Sequence, residues 1–510
     1  LRESERARIP STGKVVIVAN HPIGSLDGIA LLHLVRQVRP DVKVVANDIL
    51  MAIQPLSEVL LPVDNMGGRT ARQSLMEIKQ HLSSEGALII FPAGEVSRLG
   101  AKGVKDGPWS AGFVKIAAAA SAPILPIFVK GRNSLFFYSL SFLAKPLSTL
   151  WLVREMFKQN HRTIDARIGC PIPAEVYKAN HFSAQQLAHL FRKHVYRLGR
   201  GAQPLFKSVE TVAPAESKLL VRRELQACTA LGSTQDGKTI YLTTMTDSPC
   251  VMREIARLRE LTFRLIGEGT GLPRDMDRYD RTYLQLVLWD DIEHEIAGAY
   301  RLGRAADLIR ESGPEALYTH SLFSYGPGMQ RFLDHGLELG RSFVQPKYQN
   351  KYALDYLWSG LGAYLRQHPE IRYLFGPASM SRLYGSEGIA RMANFFGTHH
   401  NALDLDISAR NPFTIEADAS NRFAAEFTGL DYDQDYETLK DALAERGLPV
   451  PVLFKHYANV AERDGVAFTA FNIDPDFGDC VDAFVLVDLQ RLKPRKRKRY
   501  LEREMIDGSD

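Results

Sequence analysis

Cysteine is scarce in this sequence. Only Cys170, Cys228, Cys250 and Cys480 occur in 510 residues, far apart and without a CxxC pair or a Cys/His cluster. That excludes a disulfide framework and a zinc module, and we expect reduced thiols in a cytosolic compartment and no bound metal. Charge of one sign is lacking too: 63 Lys and Arg against 59 Asp and Glu leave a formal net charge of +4. With neither a nucleic-acid motif nor a platform of stacking aromatics beside it, this mild excess implies no nucleic-acid partner. Uninterrupted apolar runs of membrane-span length are also missing. The nearest, Leu135 to Val153, is broken by Lys145-Pro146 and dotted with Ser and Thr, so it reads as an interfacial segment or apolar lid, or as a pair of core helices. No secretory signal is legible. The sequence opens at Leu1, a short segment before its first strand, and we expect a further N-terminal piece in the full-length chain.

What is present suffices for two ordinary α/β domains, with 45% hydrophobic and 24% charged residues. The most informative stretch is Val15 to Ala30, VVIVANHPIGSLDGIA. A β-branched run drives into Asn20-His21-Pro22, and Asp27 follows near the start of a helix predicted over Gly28 to Val38. An imidazole and a carboxylate thus lie at the mouth of a buried parallel strand, and Pro22 and Gly24 suit a bend that brings them together. Such a pair can deprotonate a substrate group, with the carboxylate fixing the tautomer and steadying the imidazolium. The plainer alternative is a polar strand-to-helix turn in which Asp27 only caps the helix. Gly86 to Arg98, GALIIFPAGEVSR, repeats the design: an apolar strand breaks at Pro92 and Gly94 into a loop carrying Glu95, Ser97 and Arg98. Two such loops at strand ends can share one cleft.

Together these motifs resemble the glycerolipid acyltransferase superfamily, of the lysophosphatidate acyltransferase type. The resemblance covers about residues 13 to 175. It implies that Asn20, His21 and Asp27 form the catalytic motif and that Phe91, Pro92 and Gly94, with Glu95, Ser97 and Arg98, hold the acceptor. Arg69 stands where the family places an acceptor-binding arginine, a guanidinium suited to an anionic head group; a solvated helix-start arginine is the alternative. Pro123-Ile124-Leu125-Pro126 supplies the later apolar segment. Two departures mark a side branch: five residues separate His21 from Asp27 where four are usual, and Ala93 replaces the glutamate of Phe-Pro-Glu-Gly, with Glu95 two positions later.

The first domain, residues 1–200, alternates strands and helices. Strands are predicted over Val42 to Ala46, at Leu61 to Asp64, over Ala87 to Phe91 and over Ile124 to Val129. Helices are predicted over Thr70 to Leu82, Ser110 to Ala120 and Phe182 to Leu198, with a helix or turn over Leu50 to Leu60. Residues 201–237 read as a linker, with a helix at Glu216 to Ala227. A second domain follows over 238–490: strand Thr239 to Thr244, helix Pro249 to Ile266, and a hairpin of Tyr283 to Trp289 with Glu295 to Leu302. The run Lys493 to Arg499 begins a basic tail, 491–510, which reads as a solvated tail or a holder of anionic lipid.

Arg259 followed by Phe263, then Asp277 and Asp280, Arg301 at a hairpin end, and Glu338 with Arg341 at a strand resemble the acyl-homoserine lactone synthases. Their relatives, the N-acyltransferases of ornithine-lipid synthesis, share the GNAT-like fold with a mixed sheet. The alternative is a structural salt-bridge network of the same residues. Arg264 to Gly269 fits an RxxGxG pyrophosphate loop, but it follows a helix and precedes strands, so the match is discounted. By resemblance the donor is then an acyl carrier protein thioester, with acyl-CoA the second choice and no cofactor required.

The two halves together resemble the bifunctional ornithine lipid synthases. This implies that the C-terminal domain N-acylates an amino acid such as ornithine with a 3-hydroxyacyl group, with Glu338 taking up a proton and Arg341 assisting. The N-terminal domain then O-acylates the lyso-aminolipid, at the cytoplasmic face of a bacterial inner membrane, with peripheral contact to its anionic surface. A glycerophospholipid acyltransferase with a non-catalytic C-terminal domain, or a carrier-protein-binding membrane scaffold, are the competing readings.

Overall fold

Val15 to Ala19 offers no polar side chain to either side of its alternation, which suits a strand covered on both faces. In the computed structural model it is such a strand. Residues 3–46, 58–62, 69–100, 103–134, 137, 164–178, 182–349, 352–414, 422–423 and 425–502 are described. They fall into two units, Leu1–Ala213 and Pro214–Asp510.

In the N-terminal unit the strands are β1 (Val15–Ala19), β2 (Val42–Ala46), β3 (Leu60–Pro62), β4 (Ala87–Ile90), the hairpin β5 (Arg98–Gly100) and β6 (Gly103–Lys105), β7 (Ile124–Lys130) and β8 (Asp165–Ile168). Six of them form one sheet in the order β3-β2-β4-β1-β7-β8. All neighbours run parallel except β8, which closes the edge antiparallel to β7. Helices α1 (Ser25–Arg36), α2 (Arg69–Ser83), α3 (Gly112–Ala120) and α4 (Ala184–Gly199) cover the two faces. Val15, Ile17 and Ala19 pack with Leu31, Leu32 and Val35 of α1. Val16 and Val18 pack with Ile78, Phe113 and Phe191 of α2, α3 and α4. Because Val18 pairs with Ile90 in parallel register, the chain leaves β1 and β4 side by side at the same sheet edge.

The C-terminal unit begins earlier than predicted. The stretch expected as linker contains α5 (Lys218–Gln226) and β9 (Thr229–Ser233), which pairs with β10 (Lys238–Thr243). Val221 and Leu225 of α5 are buried against α6 (Pro249–Leu265), so amphipathic packing, not a tether, fills this stretch. Next come β11 (Leu284–Asp290), β12 (Glu295–Arg304), helix α7 (Tyr318–Leu322), β13 (Phe323–Tyr325) and β14 (Gly336–Val344). Then follow α8 (Ala353–Gln367), β15 (Tyr373–Met380), α9 (Gly385–His399), β16 (Ile407–Ala409), β17 (Val466–Asp474) and β18 (Cys480–Asp488). Eight strands make a mixed sheet in the order β17-β18-β15-β14-β12-β11-β10-β9. Only β14 and β15 are parallel, and they pair solely over Gly336–Glu338 against Tyr373–Phe375. The parallel register ends at Glu338 and Phe375, with the Leu339 carbonyl still against Gly376.

The expected basic tail is likewise ordered at its start. Residues 494–502 are helical, Tyr500 is buried, and its hydroxyl donates to Asp355 of α8. The predictions at Leu50 to Val59, except for Glu58 and Val59, those at Val63 to Gly68, at Leu135 to Val153 apart from the buried Phe137, and at the last eight residues lie outside the described residues. Among the described residues no helix is long and apolar enough to cross a membrane.

Candidate active sites

In the N-terminal unit the imidazole of His21 stands at the carboxyl end of β1, with Nδ1 3.2 Å from Oδ2 of Asp27. This is ion-pair range, although Nδ1 does not point along the line of a hydrogen bond; such contacts tighten when substrate closes the site. The same Oδ2 accepts from the backbone N–H of Ile23 (2.8 Å) and Gly24 (3.0 Å). Asp27 is therefore both the cap of α1 and the partner of His21, so the two readings of the sequence coexist. The extra residue between them is absorbed at Gly24, whose φ of 111° and ψ of −141° only glycine adopts freely. The Phe91 ring lies 4.4 Å from the His21 ring, giving the imidazole an apolar wall.

The neighbouring residues do not all do what their motif implies. Asn20 is a clamp rather than a substrate contact: its amide donates to the Val129 carbonyl (2.9 Å) and accepts from the Val129 N–H (2.7 Å). Both polar ends are consumed in extending the β1–β7 ladder by one step. Ser97 is also withdrawn. It is buried, its N–H donates to the His21 carbonyl (2.7 Å) and its hydroxyl donates to Asp106. Pro92 accepts from Ser110 N–H through its carbonyl (2.9 Å), and Gly94 turns the loop at φ 66° with open space where a Cβ would stand. Glu95 and Arg98 pair at 3.2 Å and stay partly exposed, able to meet a polar acceptor. Arg69 opens α2, and its side chain lies outside the described residues.

Sequence reasoning missed Asp106. Its Oδ1 accepts from His21 N–H and Ser97 Oγ–H, and its Oδ2 accepts from Trp109 Nε1–H. The only local signal is an aspartate before Gly-Pro-Trp.

In the C-terminal unit the predicted charges form one buried network. Arg259 donates to Asp280 (2.7 Å) and Gln285 (2.8 Å), and Arg301 lies 2.7 Å from Asp277 and 3.4 Å from Asp280. Burial opposes the Asp280 charge, but Arg259 and Arg301 outweigh it and hold its pKa down at about 2. Arg301 is fully buried among Tyr279, Tyr283 and Tyr318. Phe263 packs edge-on against Phe477, over which the Arg341 guanidinium sits at 4.4 Å.

Glu338 and Arg341 are three positions apart and should face opposite sides of β14. A bulge against β12, with Arg341 at φ 47°, returns both to one face. Their tasks differ. Glu338 accepts from the N–H groups of Tyr318 (3.2 Å) and Thr319 (2.6 Å) at the start of α7 and from the Tyr283 hydroxyl. Both oxygens are engaged and the side chain is buried, so Glu338 anchors α7 in this structure, and burial raises its pKa. Arg341 instead sits over the Tyr318 and Phe477 rings, 3.5 Å from Asp275 and 3.6 Å from Asp277.

Around Arg341 lie carboxyls the sequence reading did not assign, namely Glu268, Asp474 and Asp482, all buried. Burial pushes Glu268 up to about 7, with the Ser379 hydroxyl bond (2.8 Å) and the Arg341 charge partly offsetting it. Burial also raises Asp474, and raises Asp482 well above the carboxylate range. An aspartate inside the apolar strand CVDAFVLVD was the available signal for Asp482. Within the discounted glycine loop, Gly267 N–H donates to the Arg264 carbonyl (3.2 Å) and Glu268 N–H to the Phe263 carbonyl (2.9 Å), closing the end of α6, and just after it Glu260 accepts from Thr270 N–H (3.1 Å) and Gly271 N–H (2.9 Å).

Comparison with known proteins agrees with this division. Residues 3–202 match the family model for acyltransferases, and residues 258–359 match that for the acetyltransferase (GNAT) domain. The glycine N(alpha)-acyltransferase of Phocaeicola vulgatus is 34% identical over 310 residues, 58% of this chain and 93% of that protein. The lyso-glycine lipid O-acyltransferase of the same organism is 32% identical over 197 residues, 37% of this chain and 70% of that protein. The L-ornithine N(alpha)-acyltransferase of Brucella abortus is 29% identical over 263 residues, 48% of this chain and 84% of that protein. The chain therefore belongs to the acyltransferase families of these relatives and carries an O-acyltransferase-type domain and a GNAT domain in one polypeptide.

Proposed function

We propose that this enzyme builds a doubly acylated amino-acid lipid. The GNAT unit transfers a 3-hydroxyacyl group to the α-amine of an amino acid, and the N-terminal unit esterifies the hydroxyl of that product with a second acyl chain. The observation that carries the reading is the His21–Asp27 pair at the sheet edge beside the Phe91 loop. His21 takes the proton of the attacking hydroxyl as the new C–O bond forms at the thioester carbonyl. It returns that proton to the departing thiolate as the C–S bond breaks, while Asp27 steadies the imidazolium between the two steps. No acyl-enzyme is needed.

In the GNAT unit the cluster of carboxyls around Arg341 is the acceptor site. Arg341 faces the carboxylate of the amino acid or the thioester carbonyl, and Glu268 accepts the amine proton. Burial holds Asp474 and Asp482 toward their neutral forms, and a second ammonium would ionise them in place, which favours ornithine; the similarity to glycine enzymes makes glycine the second reading. The donor is an acyl carrier protein thioester, with acyl-CoA as the alternative. The cationic helical segment with exposed Arg495 and Lys498 suits an acidic carrier protein or the anionic face of a membrane.

The test is lipid extraction and mass spectrometry from a host expressing the chain. With His21→Ala the mono-acylated amino acid accumulates and the diacylated lipid disappears. Continued synthesis of the diacyl lipid would remove His21 as the base, and acylation of lysophosphatidate without any aminolipid would favour a glycerophospholipid enzyme.

A further inference from the structure

Asp106 follows the β5–β6 hairpin and is 3% exposed. Among the described residues no lysine, arginine or histidine forms an ion pair with its carboxylate. A buried carboxylate without a counter-ion is costly unless donors replace its water. Here three do: the backbone N–H of His21 (3.1 Å), the Ser97 hydroxyl and the Trp109 indole N–H (2.8 Å). All are donors, so only an acceptor-only group satisfies them; an amide would set its NH2 against one of them. The main chain of Asp106 is tied in turn. Its N–H donates to the Tyr196 hydroxyl (2.8 Å), and its carbonyl accepts from Arg192 of α4.

The consequence for His21 is specific. Its peptide is held from both sides, the N–H by Asp106 and the carbonyl by the Ser97 N–H (2.7 Å), and Ser97 itself hangs on Asp106. One carboxylate thus fixes the histidine loop against the acceptor loop. The charged groups around this assembly are Asp27 on the imidazole itself, Arg192 on the Asp106 carbonyl, Lys105 over the Tyr196 ring, and Glu95, paired with Arg98, beside Gly107.

Resting on the reading of His21 as the base, we infer that Asp106 is a positioning residue of O-acyl transfer, aligning the His21 loop against the acceptor loop. It touches neither substrate. The test uses the full chain, with N-acylation as an internal standard. Asp106→Asn lowers kcat for O-acylation by about tenfold or more and leaves KM for the lyso-lipid within about twofold.

Tyr177→Phe, which removes a buried bond to the Ala122 carbonyl (2.6 Å) in the same unit, is the control for lost stability alone: it lowers the thermal midpoint and keeps kcat for O-acylation within about twofold. A fall of kcat that merely tracks the loss of midpoint in both variants would overturn the inference and leave Asp106 a structural brace. Survival of O-acylation in His21→Ala would instead overturn the reading of the base, whatever Asp106→Asn does.

Discussion

Replacing Asp27 by asparagine isolates the charge of the dyad from its architecture. Oδ2 serves two backbone donors, Ile23 and Gly24, besides facing His21. An asparagine carbonyl oxygen can keep both bonds, so the start of α1 survives at a cost of about 0.3–1 kcal/mol for the lost charge at a helix N-terminus. The imidazolium fares worse. Opposite charges 3.2 Å apart attract by about 5 kcal/mol at an effective dielectric near 20. The His21 side chain is 18% exposed, and solvent screening reduces that to about 3 kcal/mol in the transition state, roughly a hundredfold in rate. The assay is single-turnover O-acylation of the lyso-lipid by the full chain, with N-acylation measured in the same preparation. We expect kcat for O-acylation to fall about a hundredfold, N-acylation to be unchanged, and the melting transition of the N-terminal unit to move by only a few degrees. A rate within fivefold of wild type, with the fold intact, would refute the reasoning, because the carboxylate would then be acting only as a helix cap.

Other outcomes follow from neighbouring geometry. Asn20→Ala strands the buried N–H and carbonyl of Val129 and should cost about 3 kcal/mol in urea unfolding of the N-terminal unit. Asn20→Asp should be no milder, since it sets an oxygen against the Val129 carbonyl, and unchanged midpoints for both would contradict the clamp. Glu268 titrates near 7 in the folded unit against 4.5 unfolded. The folded state therefore binds the extra proton between these values, and this stabilisation is complete below pH 4.5 and lost as pH rises through 7. Glu268→Gln should remove a pH-dependent loss of about 3 kcal/mol in unfolding of the C-terminal unit between pH 5 and 8. Identical slopes in wild type and variant would rule that out.

Most of the sheet scaffold of the N-terminal unit was legible because buried parallel strands are nearly pure aliphatic runs. β1, β2, β4 and β7 fall within about a residue of their predicted spans, and α1 starts three residues early because Asp27 caps from inside its first turn. The destinations of hydrogen bonds were not legible. Asn20 and Ser97 have the polarity of substrate contacts, yet the first bonds across the sheet to Val129 and the second folds back on His21, contacts fixed by chain 109 and 76 residues away. The nearness of Glu338 and Arg341 came from the family pattern and not from alternation, which cannot see the bulge that reverses the face of Arg341. Asp482 became part of the site only through β15, a strand that the sequence reading passed over and whose antiparallel partner, β18, begins a hundred residues later.

The union of helix start and catalytic carboxylate in Asp27 has an evolutionary corollary. The machinery for removing a proton is assembled within seven consecutive positions, from His21 to Asp27, by the winding of a single turn. Acceptor-contacting positions outside the braces at Ser97 and Asp106 can therefore change while the chemical step is kept.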